Sequence, residues 1–179
     1  MFCRDAAAHR RRSARRVAVA ALLASLVASA RAEAAPPLRL EHLTFLATHE
    51  STTEVRVAAD VGVIDEAANK ASLETVDAEW ADDAGRPSLR VRCARGELDL
   101  TSNDLLASGD VHGELADGRR FVGPWLRYDP ARDVVFTSAP VEIHEAGGRV
   151  LRGGGLEYHV KKRRLRLTAG ARVEERGAR

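Results

Sequence analysis

The sequence offers little for metal, redox or nucleophilic chemistry. Of its 179 residues only Cys3 and Cys93 are cysteines, and Cys3 falls in an arginine-rich N-terminus. The body therefore holds a single thiol and no internal disulfide, so its stability must come from packing. Cys93, in "LRVRCAR", alternates with Arg92 and shares a face with Leu89 and Val91, the pattern of a buried, inert thiol. Aromatics are only 4% of the chain, which leaves an interior built mostly from Leu, Val and Ala. The six histidines (His9, His42, His49, His112, His144 and His159) show no ligand spacing with a cysteine or with one another, and no metal site is expected. The hydroxyls of "TSND", "FTSAP" and "HEST" come without a nucleophile elbow. "RGGGLE" (152–157) precedes a strand pattern rather than a helix, so it makes no phosphate cradle. "EWADD" sets Glu79 and Asp82 near Trp80, but it runs into the turn-like "DDAGRP", where acids are expected to be solvated. No catalytic residue and no cofactor is expected, and the chain does not read as an enzyme.

A body of one charge sign is also missing. Residues 1–32 hold seven arginines against Asp5 alone; without them 21 basic residues face 25 acidic ones, a balance of about −4. The pI of about 8.8 thus belongs to the N-terminus, and a nucleic-acid partner is not expected. In that N-terminus "RRRSARR" precedes the apolar run "VAVAALLASLVASA" (17–30), and small-x-small signals end at Ala30 and Ala32. This is the layout of a secretory signal peptide. The run is shorter than the roughly 20 residues that span a bilayer as a helix, so a cleaved leader and a short retained anchor both stay open. The expected organisation is a signal peptide or short membrane anchor over 1–32, a linker over 33–37 and one folded domain over 38–176.

That domain carries almost no helical periodicity. Short alternating runs recur instead, among them "LRLEHLTFLA", "EVRVAAD", "LRVRCAR", "GELDL", "RRFVGPWLRYD", "PVEIHE" and "RLRLTAGARVEE". They are separated by turns of sensible chemistry, such as "DEAANK", "DDAGRP", "ADGR", "DPARD", "EAGGR" and "KKRR". An internal repeat of roughly 30 residues is visible in Leu98-Asp99-Leu100, Leu126-Arg127-Tyr128 and Leu156-Glu157-Tyr158. Each is followed by a polar turn, a second short strand, and a third strand after a small residue. Alternation puts Leu98, Leu100, Val111, Leu126, Tyr128, Val141, Ile143, Leu156, Tyr158, Val160, Leu165 and Leu167 on one face. Asp99, Arg127, Glu142, Glu157, His159, Lys161 and Arg166 fall on the other. The fold class is all-β, with one long apolar surface that is either a closed core or a groove.

The stretches "ARGELDLTSNDLLASGDVHGEL", "GRRFVGPWLRYDPARDVVFTSAPVEI" and "LRGGGLEYHVKKRRLRLTAGARVE" resemble the lipopolysaccharide-export β-jellyroll family. The LptC type, tied to the inner-membrane transporter, is the nearer likeness and the soluble LptA bridge the near relative. The resemblance covers roughly Leu38 to Glu174. It implies an antiparallel β-jellyroll, an open V-shaped sheet sandwich preceded by an N-terminal hydrophobic helix or signal peptide. Its apolar interior would receive lipopolysaccharide acyl chains, with Leu98, Leu100, Val111, Leu126, Tyr128, Val141, Ile143, Leu156, Tyr158, Leu165 and Leu167 as the lining. The C-terminal edge strand, with Arg166, Leu167, Ala169, Ala171 and Val173, would dock an LptA-type periplasmic bridge protein. The remaining partners implied are the subunits of the inner-membrane export ABC transporter, and the location is the periplasm, at the inner membrane. The short apolar run departs from the LptC pattern of a retained anchor. The rival expectation is a structural or adhesive exported β-repeat protein with a closed core.

Overall fold

Alternation of apolar and charged residues, broken only at Gly, Asn and Asp turns, produces ten β-strands and no other regular element among the described residues. The computed structural model describes residues 36–49 and 52–175; the expected targeting segment 1–32 and most of the 33–37 linker lie outside them. The strands are β1 (Leu38–His49), β2 (Thr52–Asp65), β3 (Lys70–Ala81), β4 (Pro87–Asp99), β5 (Leu105–Leu115), β6 (Arg120–Asp129), β7 (Val134–Thr137), β8 (Val141–His144), β9 (Arg149–His159) and β10 (Arg164–Glu175). They form one antiparallel sheet in chain order, in which β7 and β8 share a place between β6 and β9.

Most strands are longer than the alternating runs suggest, because a bend interrupts the alternation without ending the strand. "LRVRCAR" and "GELDL" are one strand, β4, and "EVRVAAD" continues through "VGVID" as β2. The bends line up across the sheet. His42, Thr75, Asp110 and Ala169 adopt left-handed backbone there, with φ between 52° and 55°, alongside Gly109 and Gly170. The β4–β5, β5–β6 and β9–β10 ladders slip register at the same line. β-Bulges of this kind bend a strand and re-aim the side chains beyond the bend. Where β7 and β8 meet the line, Ser138–Pro140 breaks the strand outright. Pro124, which donates no ladder hydrogen bond, lies opposite the bulge in β5.

The sheet is thereby creased into two arms. The first arm comprises 38–41, 61–65, 70–74, 95–99, 105–108, 125–129, β7, 155–159 and 164–168. The second comprises 43–49, 52–59, 76–81, 87–93, 111–115, 120–123, β8, 149–153 and 171–175. The roughly 30-residue repeat is the return of the chain to the outer rim of the first arm, where Leu98, Tyr128 and Tyr158 each lead into a turn. The two sheets expected of a jellyroll are the two arms of one set of strands.

A candidate binding interior and its two edges

The apolar faces of the arms meet. Trp80 in the second arm lies edge-on to Tyr128 in the first, with ring centroids 5.4 Å apart. Of the lining expected from the alternation, Leu98, Val111, Leu126, Tyr128, Val141, Ile143, Leu156 and Tyr158 are buried in this interior, and so is Val160. Leu100, Leu165 and Leu167 are partly buried and pack against it. The charged set turns the other way. Arg127 pairs with Asp104 at 2.9 Å, and Arg152 with Glu142 at 2.7 Å and with Glu174. His112, His144 and His159 lie on this outer face beside Asp110, Glu142 and Glu157. On the same face Arg90 holds the Asp77 carboxyl below the usual carboxylate range.

A polar clasp joins the arms, and alternation gives no sign of it. Ser88, fully buried in β4, donates from Oγ to the Val160 carbonyl at 2.7 Å and meets the Tyr158 hydroxyl at 2.9 Å. Asp82, expected to be solvated, is buried. Its carboxylate accepts the backbone N–H groups of Ala84 and Arg86 and the Arg86 guanidinium, which hold its pKa down. Arg163, from the β9–β10 turn of the first arm, reaches the same carboxylate at 3.0 Å and donates to the Pro87 carbonyl. Lys161 in that turn pairs with Glu54 of β2 at 3.0 Å. These ties close the interior along one side. Glu79 stays on the outer face with Arg56 and Arg90, so it and Asp82 do not form a pair of acids in one cleft. Cys93 is buried, and burial pushes its thiol pKa up.

The interior is uncovered at its two ends. Contacts between the arms join early strands of the second arm to strands several places later in the first, as with Trp80 of β3 and Tyr128 of β6. Each arm therefore overruns the other at one edge. Leu38 of β1 pairs with Ile64 and Val173 of β10 with Leu151, both partly buried against the core, yet Leu38 is 48% and Val173 57% exposed. β1 and β10 are also the strands with a neighbour on one side only. Of the expected docking residues, Arg166, Ala169, Ala171 and Val173 are exposed and Leu167 is half-buried.

Residues 18–174 match the model of the family described as lipopolysaccharide-assembly, LptC-related. The chain belongs to that family. Membership makes the protein a component of lipopolysaccharide assembly. The fold agrees. The chain is similar to the crystal structure of LptH from Pseudomonas aeruginosa, the LptA homologous periplasmic component of a lipopolysaccharide transport device. The TM-score is 0.53 at 12% identity, over 69% of this chain and 95% of that one. No curated protein sequence matches the chain. Within the LptC-related fold, sequence reasoning found the inward face but missed the clasp residues Ser88 and Asp82. It also missed that Trp80 is buried with its indole N–H unpaired among the described residues. Each is a polar group whose burial depends on a strand remote in sequence. Only the "DDAGR" Asx pattern hinted at the fixed geometry of Asp82.

Proposed function

We propose that the protein shields acyl chains of lipopolysaccharide in its apolar interior and passes the lipid from the inner-membrane ABC transporter to an LptA-type periplasmic bridge, without enzymatic chemistry. The supporting observation is that the inward apolar face continues past the covered core at both ends, to Leu38 on β1 and Val173 on β10. Each acyl methylene kept from water contributes about 0.8 kcal/mol, so a continuous apolar path lowers the cost of crossing an aqueous compartment. The unpaired side of β10, with Arg166, Leu167, Ala169, Ala171 and Val173, serves as the docking edge for the bridge by strand addition. The unpaired side of β1 faces the transporter. The work takes place in the periplasm, at the inner membrane, with residues 1–32 as leader or anchor and 38–176 as the transport domain. The lining comprises Leu98, Leu100, Val111, Leu126, Tyr128, Val141, Ile143, Leu156, Tyr158, Leu165 and Leu167.

A sealed core, as in a structural repeat protein, would bury the same residues, so the test must detect lipid inside. A photoreactive amino acid placed in cells at Leu167 or Tyr128 is expected to crosslink to lipopolysaccharide, and one at outward-facing Arg127 is not. Correctly exported, folded protein that yields no lipid adduct at either inward position would refute the proposal.

A further inference from the structure

Positive charge gathers at one end of the strand order. In a body whose balance is about −4, residues 149–175 hold eight lysines and arginines against three acids. They form β9, the turn after it and β10, the last strands of the sheet. Part of that charge is spent within the fold: Arg149 pairs with Glu145, Arg152 with Glu142 and Glu174, Lys161 with Glu54 and Arg163 with Asp82. Lys162, Arg164 and Arg166 are exposed, and none of the three forms an ion pair among the described residues. Arg164 and Arg166 alternate with Leu165 and Leu167, which pack against the core, so both arginines stand on the outer face. Their ladder partners on β9 are His159 and Glu157, and that carboxylate is already shared by Arg132 and His159. The other side of β10 has no strand. A strand added there would set its own outward side chains beside the two arginines, where opposite charges attract and like charges repel. The open side of β1 differs. Its outward residues are Arg39, Glu41, Thr44, Leu46 and Thr48, with a single carboxylate beside a guanidinium. A second copy of the chain thus offers Arg164 and Arg166 little through its β1, and its β10 repels them.

We propose that β10 takes a partner edge strand bearing carboxylates at its outward positions, and that Lys162, Arg164 and Arg166 select that strand and speed its docking. This rests on the proposed role of β10 as the docking edge for the bridge, and adds to it the charge of the bridge's own edge. Exposed cations also keep an open edge from pairing at random, so one device excludes wrong partners and draws in the right one. Charges at the rim of an interface act chiefly on the rate of encounter, and salt screens them.

The test follows association of the full chain with the immobilised LptA-type bridge protein of the same organism, from about 50 mM to about 500 mM NaCl. The wild-type association rate is expected to fall about tenfold or more over that range, with a much smaller change in dissociation rate. The double variant Arg164→Glu/Arg166→Glu should be slower than wild type by about tenfold or more at low salt and should lose most of the salt dependence. Lys70→Glu/Arg95→Glu makes the same change in net charge at two exposed positions on β3 and β4, and it should associate nearly as fast as wild type. Binding that Val173→Asp weakens, but that neither salt nor the Arg164→Glu/Arg166→Glu reversal slows, would overturn the charge selection while leaving β10 as the docking edge. So would equal slowing by the two double variants, which would assign the effect to net charge alone. No binding, or binding indifferent to Val173→Asp and to the reversal alike, would instead overturn the docking role of β10, and the selection with it.

Discussion

Removing the hydroxyls of the clasp should cost little singly and less than the sum together. Ser88→Ala deletes the 2.7 Å bond to the Val160 carbonyl and one partner of the Tyr158 hydroxyl. That carbonyl still accepts the Arg163 N–H at 3.3 Å, and the tyrosine can still donate to the carbonyl of residue 88, 3.2 Å away. No buried group is left without a partner, so the loss is that of a net hydrogen bond, about 1 kcal/mol, rather than the larger desolvation penalty. Tyr158→Phe is similar, since the Ser88 carbonyl keeps the Ala116 N–H at 3.0 Å. The Ser88–Tyr158 bond is counted in both single variants, so the double variant should be more stable than additivity predicts by at least about 0.5 kcal/mol. Urea unfolding of the four proteins at constant m-value measures the cycle. Additivity within about 0.3 kcal/mol would show that the two hydroxyls do not interact. A loss of about 3 kcal/mol in either single variant would show that the two carbonyls lack their second donors.

Three more outcomes are expected elsewhere in the molecule. An added Cβ at Gly113 would overlap the ring of Phe121, itself buried, so Gly113→Ala should lower stability by about 1–3 kcal/mol in urea, and Phe121→Leu in the same chain should recover part of the loss. Asp77 is held below its ordinary pKa of 3.8 by the Arg90 hydrogen bond, so its contribution is present above that pH and is lost as pH falls through the lowered folded value. The urea midpoints of wild type and Asp77→Asn should therefore converge on acidification from pH 7, and a constant gap would refute the assignment. Val173 is already exposed, so Val173→Asp should leave the midpoint within about 0.5 kcal/mol. It should nevertheless weaken pairing with an LptA-type jellyroll by roughly tenfold or more, since burying a valine contributes about 1.5 kcal/mol or more; unchanged affinity in a titration would remove β10 as the docking edge.

Strand alternation is local, and what depends on it was legible. Leu98, Leu126, Tyr128, Leu156 and Tyr158 point inward, and Arg127, Glu142 and Glu157 point outward, because neighbours along a strand cannot share a face. The turns were legible for the same reason: Asn69, Asn103 and Asp133 close them in left-handed backbone that their short polar side chains tolerate. The crease was not. A bulge shifts the alternation by one residue, so "LRVRCAR" and "GELDL" look like separate strands although one strand continues, bent, through Ala94. Ser88 and Asp82 were hidden more deeply. Nothing in "ADDAGRPS" announces that Tyr158, Val160 and Arg163, some 70 positions later, fold across it. The face of a residue is a property of its strand; its burial is a property of the opposite arm.

The crease also determines how the molecule can widen. Ladder hydrogen bonds in an antiparallel sheet run perpendicular to the strands, which here is along the line of bends itself. Swinging one arm away from the other turns the backbone at His42, Thr75, Asp110 and Ala169 and stretches no bond of the ladder. The arms behave as the boards of a book about its spine, and the resistance to opening lies in what spans the gap: the packing of the two apolar faces on each other and the ties from Ser88 to Tyr158, Asp82 to Arg163 and Glu54 to Lys161. A fold of this kind can change the girth of its interior while keeping every strand pairing intact.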